Sequence, residues 1–158
     1  GSFSLNLNVA TILSDEFLAF DENLSPSMKS SIVLELQLVD IFSDVKAFIL
    51  ARTFAQYRGY KLCIDAITPD KLKYLNKEHF KVDFIKVIWN NSFIDVIRDD
   101  GVFNNMSADE KERIIICRVD NQEPIEVGNA MGIHLYQGRY VQRVLANRPK
   151  RTIYNIKR

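Results

Sequence analysis

Six short runs rich in apolar and β-branched residues recur along the chain: Phe3–Ala10, Ser31–Val39, Tyr60–Ile67, Asp83–Trp89, Arg113–Val119 and Ile133–Gln137. Their length and composition predict strands. Helical spacing fills most of the intervals. Over Asp40–Arg58, Ile41, Phe42, Val45, Phe48, Ile49 and Phe54 recur on one face, and Gly59 supplies the stop. Pro69 opens a short helix through Lys71, Leu72 and Leu75. Ser107-Ala108-Asp109-Glu110 reads as a capping box, and Pro124 to Met131 as a helix ended by Gly132. Strand and helix alternate six times, which predicts a parallel α/β sheet or a (β/α) barrel.

The polar residues inside these runs carry the chemistry. A parallel strand covered on both faces is nearly all apolar, so each exception needs a reason. Side chains alternate along a strand, so Asn6 and Asn8 share one face of the first. Glu35 and Gln37 share one face of the second, with Leu34, Leu36 and Leu38 on the other. Asp65 closes the third strand, Lys86 lies in the fourth, Arg118 falls near the end of the fifth and Gln137 ends the sixth. In barrel enzymes the C-terminal rim of the strands holds the site. Asn, Glu, Asp, Lys, Arg and Gln on such a rim suit a phosphate ligand or a metal; the other reading is a self-satisfied polar network. Trp89 and Phe93 read as packing residues, and Lys71 and Lys73 as a solvated helix face.

Composition narrows the class. The chain has 158 residues, 47% hydrophobic and 26% charged, enough to bury one core. No apolar run approaches the roughly 20 residues of a membrane-spanning helix, and the opening residues lack the pattern of a signal peptide. Cys63 and Cys117 sit in apolar runs and read as small core residues in a reducing, cytoplasmic compartment. His79 and His134 are too isolated for a metal cluster. Net charge is +1, but Arg139, Arg143, Arg148, Lys150, Arg151, Lys157 and Arg158 supply seven cations and no acid follows Arg139, leaving −6 for residues 1–138. Residues 148–158 are therefore set apart as a basic, solvated tail behind a domain over 1–147.

The order SLNLN, LELQ, LCIDAI, FIKVI, IICRVDN and GIHLYQGRYV resembles the second part of the bacterial EAL domain, the cyclic di-GMP phosphodiesterase fold, over residues 3 to 143. The resemblance implies a (β/α) barrel binding cyclic di-GMP at its C-terminal rim. In active members two Mg²⁺ or Mn²⁺ ions activate the water that opens the ring. Asn6, Glu35, Asp65, Lys86 and Gln137 match the family's site positions. Gln37 and Leu38 replace the Thr and second Glu of Glu-x-Thr-Glu, and Ala66 replaces the second Asp of Asp-Asp-Phe-Gly, with Thr68 at its Gly. Ile88 stands for the Asp after the conserved Lys. Cys117-Arg118-Val119-Asp120-Asn121 stands in place of Ala-Glu-Gly-Val-Glu, so that Arg118 replaces its first Glu.

The lost carboxylates imply a degenerate, non-catalytic site: no intact catalytic set, no metal and no cofactor are expected, with Mg²⁺ or Mn²⁺ needed if the site were active. Glu35 and Asp65 against Lys86 and Arg118 sum to zero charge, and two divalent ions would leave +4. Arg118 is expected to stand in for a metal by charge-assisted bonds to Glu35 or Asp65. The leading expectation is a regulatory domain of cyclic di-GMP signalling that acts on another protein or an upstream domain of its own chain. A receptor that binds without turnover is the alternative, with Lys86, Arg118 and Arg139 meeting the phosphates; a metal-dependent phosphodiesterase comes third. No nucleic-acid polymer and no membrane span are expected. Because a full (β/α)₈ barrel takes typically about 250 residues, the chain reads as strands three to eight of an incomplete barrel. Open edges at Phe3–Ala10 and Ile133–Gln137 then predict self-association or domain swapping.

Overall fold

The computed structural model describes residues 2–75, 80–144 and 153–156, with the backbone only at Asp100. These fall into two compact units, residues 1–65 with 77–84 and residues 66–76 with 85–158. Within each unit strand order follows chain order, the pattern of consecutive β/α units. Among the described residues no helix is long and apolar enough to cross a membrane.

In the first unit, β1 (Phe3–Asn6), β2 (Ile32–Leu36) and the start of β3 (Lys61–Ile67) run parallel. All of β2 is buried, as its IVLEL sequence demands of a strand covered on both faces. Three short helices, α1 (Val9–Ile12), α2 (Asp15–Glu22) and α3 (Pro26–Lys29), link β1 to β2. They lack a long apolar period, and the starts of α2 and α3 are set by caps: Ser14 Oγ accepts from Phe17 N and Ser25 Oγ from Met28 N. The single helix expected over Asp40–Arg58 is two, α4 (Leu38–Ser43) and α5 (Val45–Tyr57). Asp44 makes the break. It leaves helical geometry at φ −155°, and its carboxylate accepts from Ala47 N to start α5. Gly59, at φ +98°, supplies the stop where the sequence placed it.

The second unit carries β4 (Phe84–Ile88, its first residue in the first unit), β5 (Ile114–Cys117) and β6 (Leu135–Gln137), parallel to one another. The turn opened by Pro69 is a 3₁₀ helix over Pro69–Tyr74. Then come α6 (Phe93–Asp100), α7 (Ala108–Lys111), α8 (Glu123–Met131) and α9 (Arg139–Val144). The capping box forms as read: Ser107 Oγ accepts from Glu110 N, and Glu110 Oε2 from Ser107 N. Phe93 is fully buried between Trp89 and Phe103, with ring centroids 4.8 and 5.6 Å away, so it packs rather than binds.

A seventh strand is absent from the sequence reading. β7 (Tyr154–Asn155) pairs antiparallel with β6, Leu135 facing Asn155 and Tyr136 facing Tyr154. The edge expected to be open at Ile133–Gln137 is therefore covered, and Tyr154, inside the supposedly solvated tail, is buried. Two residues among seven cations give no periodicity, which is why the strand was illegible. Of the tail, Arg148, Lys150, Arg151, Lys157 and Arg158 lie outside the described residues, as does His79.

Candidate functional site

Parallel register fixes which side chains share a face. In the first unit Asn6 pairs with Glu35 and Glu35 with Cys63. Alternation then puts Gln37 and Asp65 on that face, one step nearer the C-terminal rim. Asn6 is exposed at the end of β1, whereas Glu35 is 6% exposed. Leu34, Leu36, Leu62 and Ile64 are buried on the opposite face. Register thus brings Asn6, Glu35, Gln37 and Asp65 to one face of the first three strands. Its outer end is closed by a bond that the sequence did not reveal: Gln37 Nε2 donates to Asp65 Oδ2 at 2.9 Å. A second carboxylate nearby is also committed, since Asp40 Oδ2 accepts from Val9 N at 2.7 Å and ties the start of α1 to α4.

These residues do not fit a centre for two divalent cations. Hard cations held close together need several carboxylate oxygens with free lone pairs. Here an amide donor faces one oxygen of Asp65, and the next residue is Ala66. Among the described residues no group of three or more His, Cys, Asp or Glu side chains could hold a metal ion.

In the second unit Lys86 lies in the middle of β4 and is 6% exposed. One step nearer the rim, Ile88, Cys117 and Gln137 are register partners and so share a face. Arg118 is not in that row. It follows the last residue of β5, is exposed, and is the only described non-glycine residue with a positive φ, at 61°. Val119, next in line, is fully buried and held at both backbone groups: its N–H donates to Gln137 O at 3.2 Å and its carbonyl accepts from Tyr140 N at 3.0 Å. Gly138 lies so close that a Cβ there would sit 2.3 Å from Val119 N and from Val119 O. Tyr140 Oη donates to Gln122 Oε1 at 2.6 Å, and Arg143 reaches Asp120 O at 3.4 Å. The loop after β5 is therefore stitched to the turn after β6. Arg139, at the start of α9, is exposed.

Cys63 and Cys117 are buried and are not joined in a disulfide. His134 Nδ1 lies 2.8 Å from Asn129 Oδ1, a structural contact beside the end of α8.

Solved structures share this fold. The Vibrio cholerae LapD S helix-GGDEF-EAL structure bound to cyclic di-GMP matches 89% of this chain with a TM-score of 0.63 and 16% identity. The Klebsiella pneumoniae BlrP1 complex with manganese and cyclic di-GMP at pH 6 matches 99%, with a TM-score of 0.61 and 17% identity. The Bacillus subtilis YkuI protein, with an EAL domain in complex with cyclic di-GMP and calcium, matches 98%, with 0.63 and 13%. This chain spans 36%, 42% and 38% of those chains, respectively. No protein-family profile and no curated protein matches it. The fold is that of part of an EAL-type (β/α) barrel.

Proposed function

We propose that residues 1–147 form a degenerate, non-catalytic EAL-type domain of bacterial cyclic di-GMP signalling that regulates by binding a protein partner. The bond from Gln37 to Asp65 carries this reading, because an amide donor on Oδ2 competes with a cation for that oxygen. Ala66 beside it and Ile88 on β4 remove two further oxygen donors that the resemblance assigns to active members. Two buried cysteines outside any disulfide support a reducing, cytoplasmic setting.

The test is incubation with cyclic di-GMP and Mn²⁺ or Mg²⁺, followed by chromatography for the linear dinucleotide, with calorimetry alongside. The expected result is no product and no metal-dependent heat. Metal-dependent turnover would overturn the reading. Binding of cyclic di-GMP without turnover would move it to the receptor alternative, for which Lys86, Arg118 and Arg139 are the candidate cations, Arg118 and Arg139 from exposed positions beside the row.

Self-association belongs to the same proposal. With β6 covered by β7, the edge that remains is β1, which pairs with β2 and carries Phe3 at 55% exposure. An apolar strand edge of this kind favours pairing with another chain or exchange of a segment. Light scattering is expected to give a mass of at least two chains. A monomer at every concentration tested would refute it.

A further inference from the structure

We infer that the β5 position of the candidate site belongs to Cys117, and that Arg118 serves the turn behind it. What the site would hold rests on the EAL reading; the assignment itself rests on register and backbone. Ile88, Cys117 and Gln137 are Cα partners on adjacent parallel strands, so they point to one face at one level. Lys86, two residues before Ile88, shares that face. Arg118 comes one residue later, and its φ of 61° is a conformation that favours glycine.

The motif to which the resemblance points, Ala-Glu-Gly-Val-Glu, has its glycine directly after its first carboxylate. The left-handed residue here is Arg118, so it occupies the glycine's place and the carboxylate's place falls on Cys117. A shift of one residue is what the direct alignment of Cys117-Arg118-Val119 missed. The chain cannot slip back, because Val119 is pinned at N–H and carbonyl by Gln137 and Tyr140, with Gly138 against its backbone. The row at this end of β4 to β6 is therefore a hydrocarbon, a thiol and an amide. Such a set is poor at holding a hard cation. Arg118 is not one of its charges.

The assignment is tested by restoring carboxylates at either candidate position. On a common Ile88→Asp background, Cys117→Glu and Arg118→Glu are compared for Mn²⁺ affinity by electron paramagnetic resonance, with folding checked by circular dichroism. Cys117→Glu puts two carboxylates on adjacent register partners and is expected to tighten Mn²⁺ binding by about tenfold or more over Ile88→Asp alone. Arg118→Glu is expected to change it less than about twofold. Equal gains, or a larger gain at position 118, would overturn the assignment.

Cys117 is buried, so its glutamate variant could fail to fold, and a second measurement stands apart from it. Arg118→Gly relieves the left-handed backbone and loses only an exposed side chain, so the unfolding midpoint is expected to rise by about 2–4 °C. A fall would show that Arg118 is not the turn residue. Mn²⁺ binding with turnover by the unaltered chain would instead defeat the non-catalytic reading, which keeps the two failures distinct.

Discussion

Replacing Asp21 with asparagine is expected to cost about 3–5 kcal/mol of stability, read as a lowered midpoint in urea unfolding. Asp21 is fully buried on α2 and gathers three partners from three other places in the chain. Lys29 Nζ, on α3, lies 3.0 Å from Oδ1, and Tyr60 Oη, just before β3, donates to the same oxygen at 2.9 Å. Arg58, at the end of α5, donates to Oδ2 from Nε at 2.7 Å and again from Nη2. Removing the anion leaves the Lys29 ammonium, whose side chain is only 10% exposed, without a counter-charge. That uncompensated cation, more than the lost hydrogen bonds, sets the size of the effect. An unchanged midpoint would refute the account.

The same cluster sets a pH dependence. Burial by itself would raise the Asp21 pKa, but the hydrogen bonds from Arg58, Lys29 and Tyr60 outweigh it and hold the carboxyl below its usual value. Burial, then the Asp21 carboxylate, pushes the Tyr60 phenol up. A depressed carboxyl gives stability that is fully present above the unfolded pKa, about 3.9, and lost as pH falls through the folded value. The gap between the native chain and Asp21→Asn is therefore expected to hold from neutral pH to about pH 5 and to shrink below about pH 4. A gap that stayed constant to the acid limit would show that Asp21 acts by shape alone.

None of this cluster was legible in the sequence. Asp21, Lys29, Arg58 and Tyr60 are spread over forty positions with no shared spacing; the three charged residues look like ordinary surface residues, and Tyr60 like the start of a strand. The strands were legible because their signal is local: a buried parallel strand must be apolar at nearly every position, and IVLEL and IIIC are. The faces within a strand also followed from alternation, which puts Glu35 with Gln37 on β2 without knowledge of the neighbours; bringing Asn6, Glu35 and Asp65 to one face took the register. What failed needed register or backbone geometry. Gln37 could be placed on the Glu35 face, but its bond to Asp65 depends on how β2 and β3 align. Arg118 could be placed at the end of a strand, but only its positive φ shows that the strand had already ended at Cys117. The helix break at Asp44 was in the sequence as a Ser-Asp pair and was hidden by apolar spacing that continues across it.

Gly138→Ala is expected to be the most damaging single-methyl change in the second unit. The added carbon would lie 2.3 Å from both the nitrogen and the oxygen of Val119, closer than any relaxed contact, and neither atom can move alone. Val119 N–H is bonded to Gln137 O and its carbonyl to Tyr140 N, so making room separates the loop after β5 from the turn after β6. Overpacking of this kind typically costs about 1–3 kcal/mol, and each of two buried hydrogen bonds stretched by the shift adds about 1 kcal/mol. A total loss of about 3–5 kcal/mol follows, measured as the drop in unfolding free energy by circular dichroism in urea. Because the obstacle is backbone, no change of rotamer relieves it. Gly101 supplies the comparison: it has φ +60° but no atom within 4 Å of a Cβ, so Gly101→Ala meets conformational strain without a clash. That variant is expected to lose only about 1–2 kcal/mol. If the two glycines proved equally tolerant of alanine, the close approach at Val119 could not be what holds this rim in register.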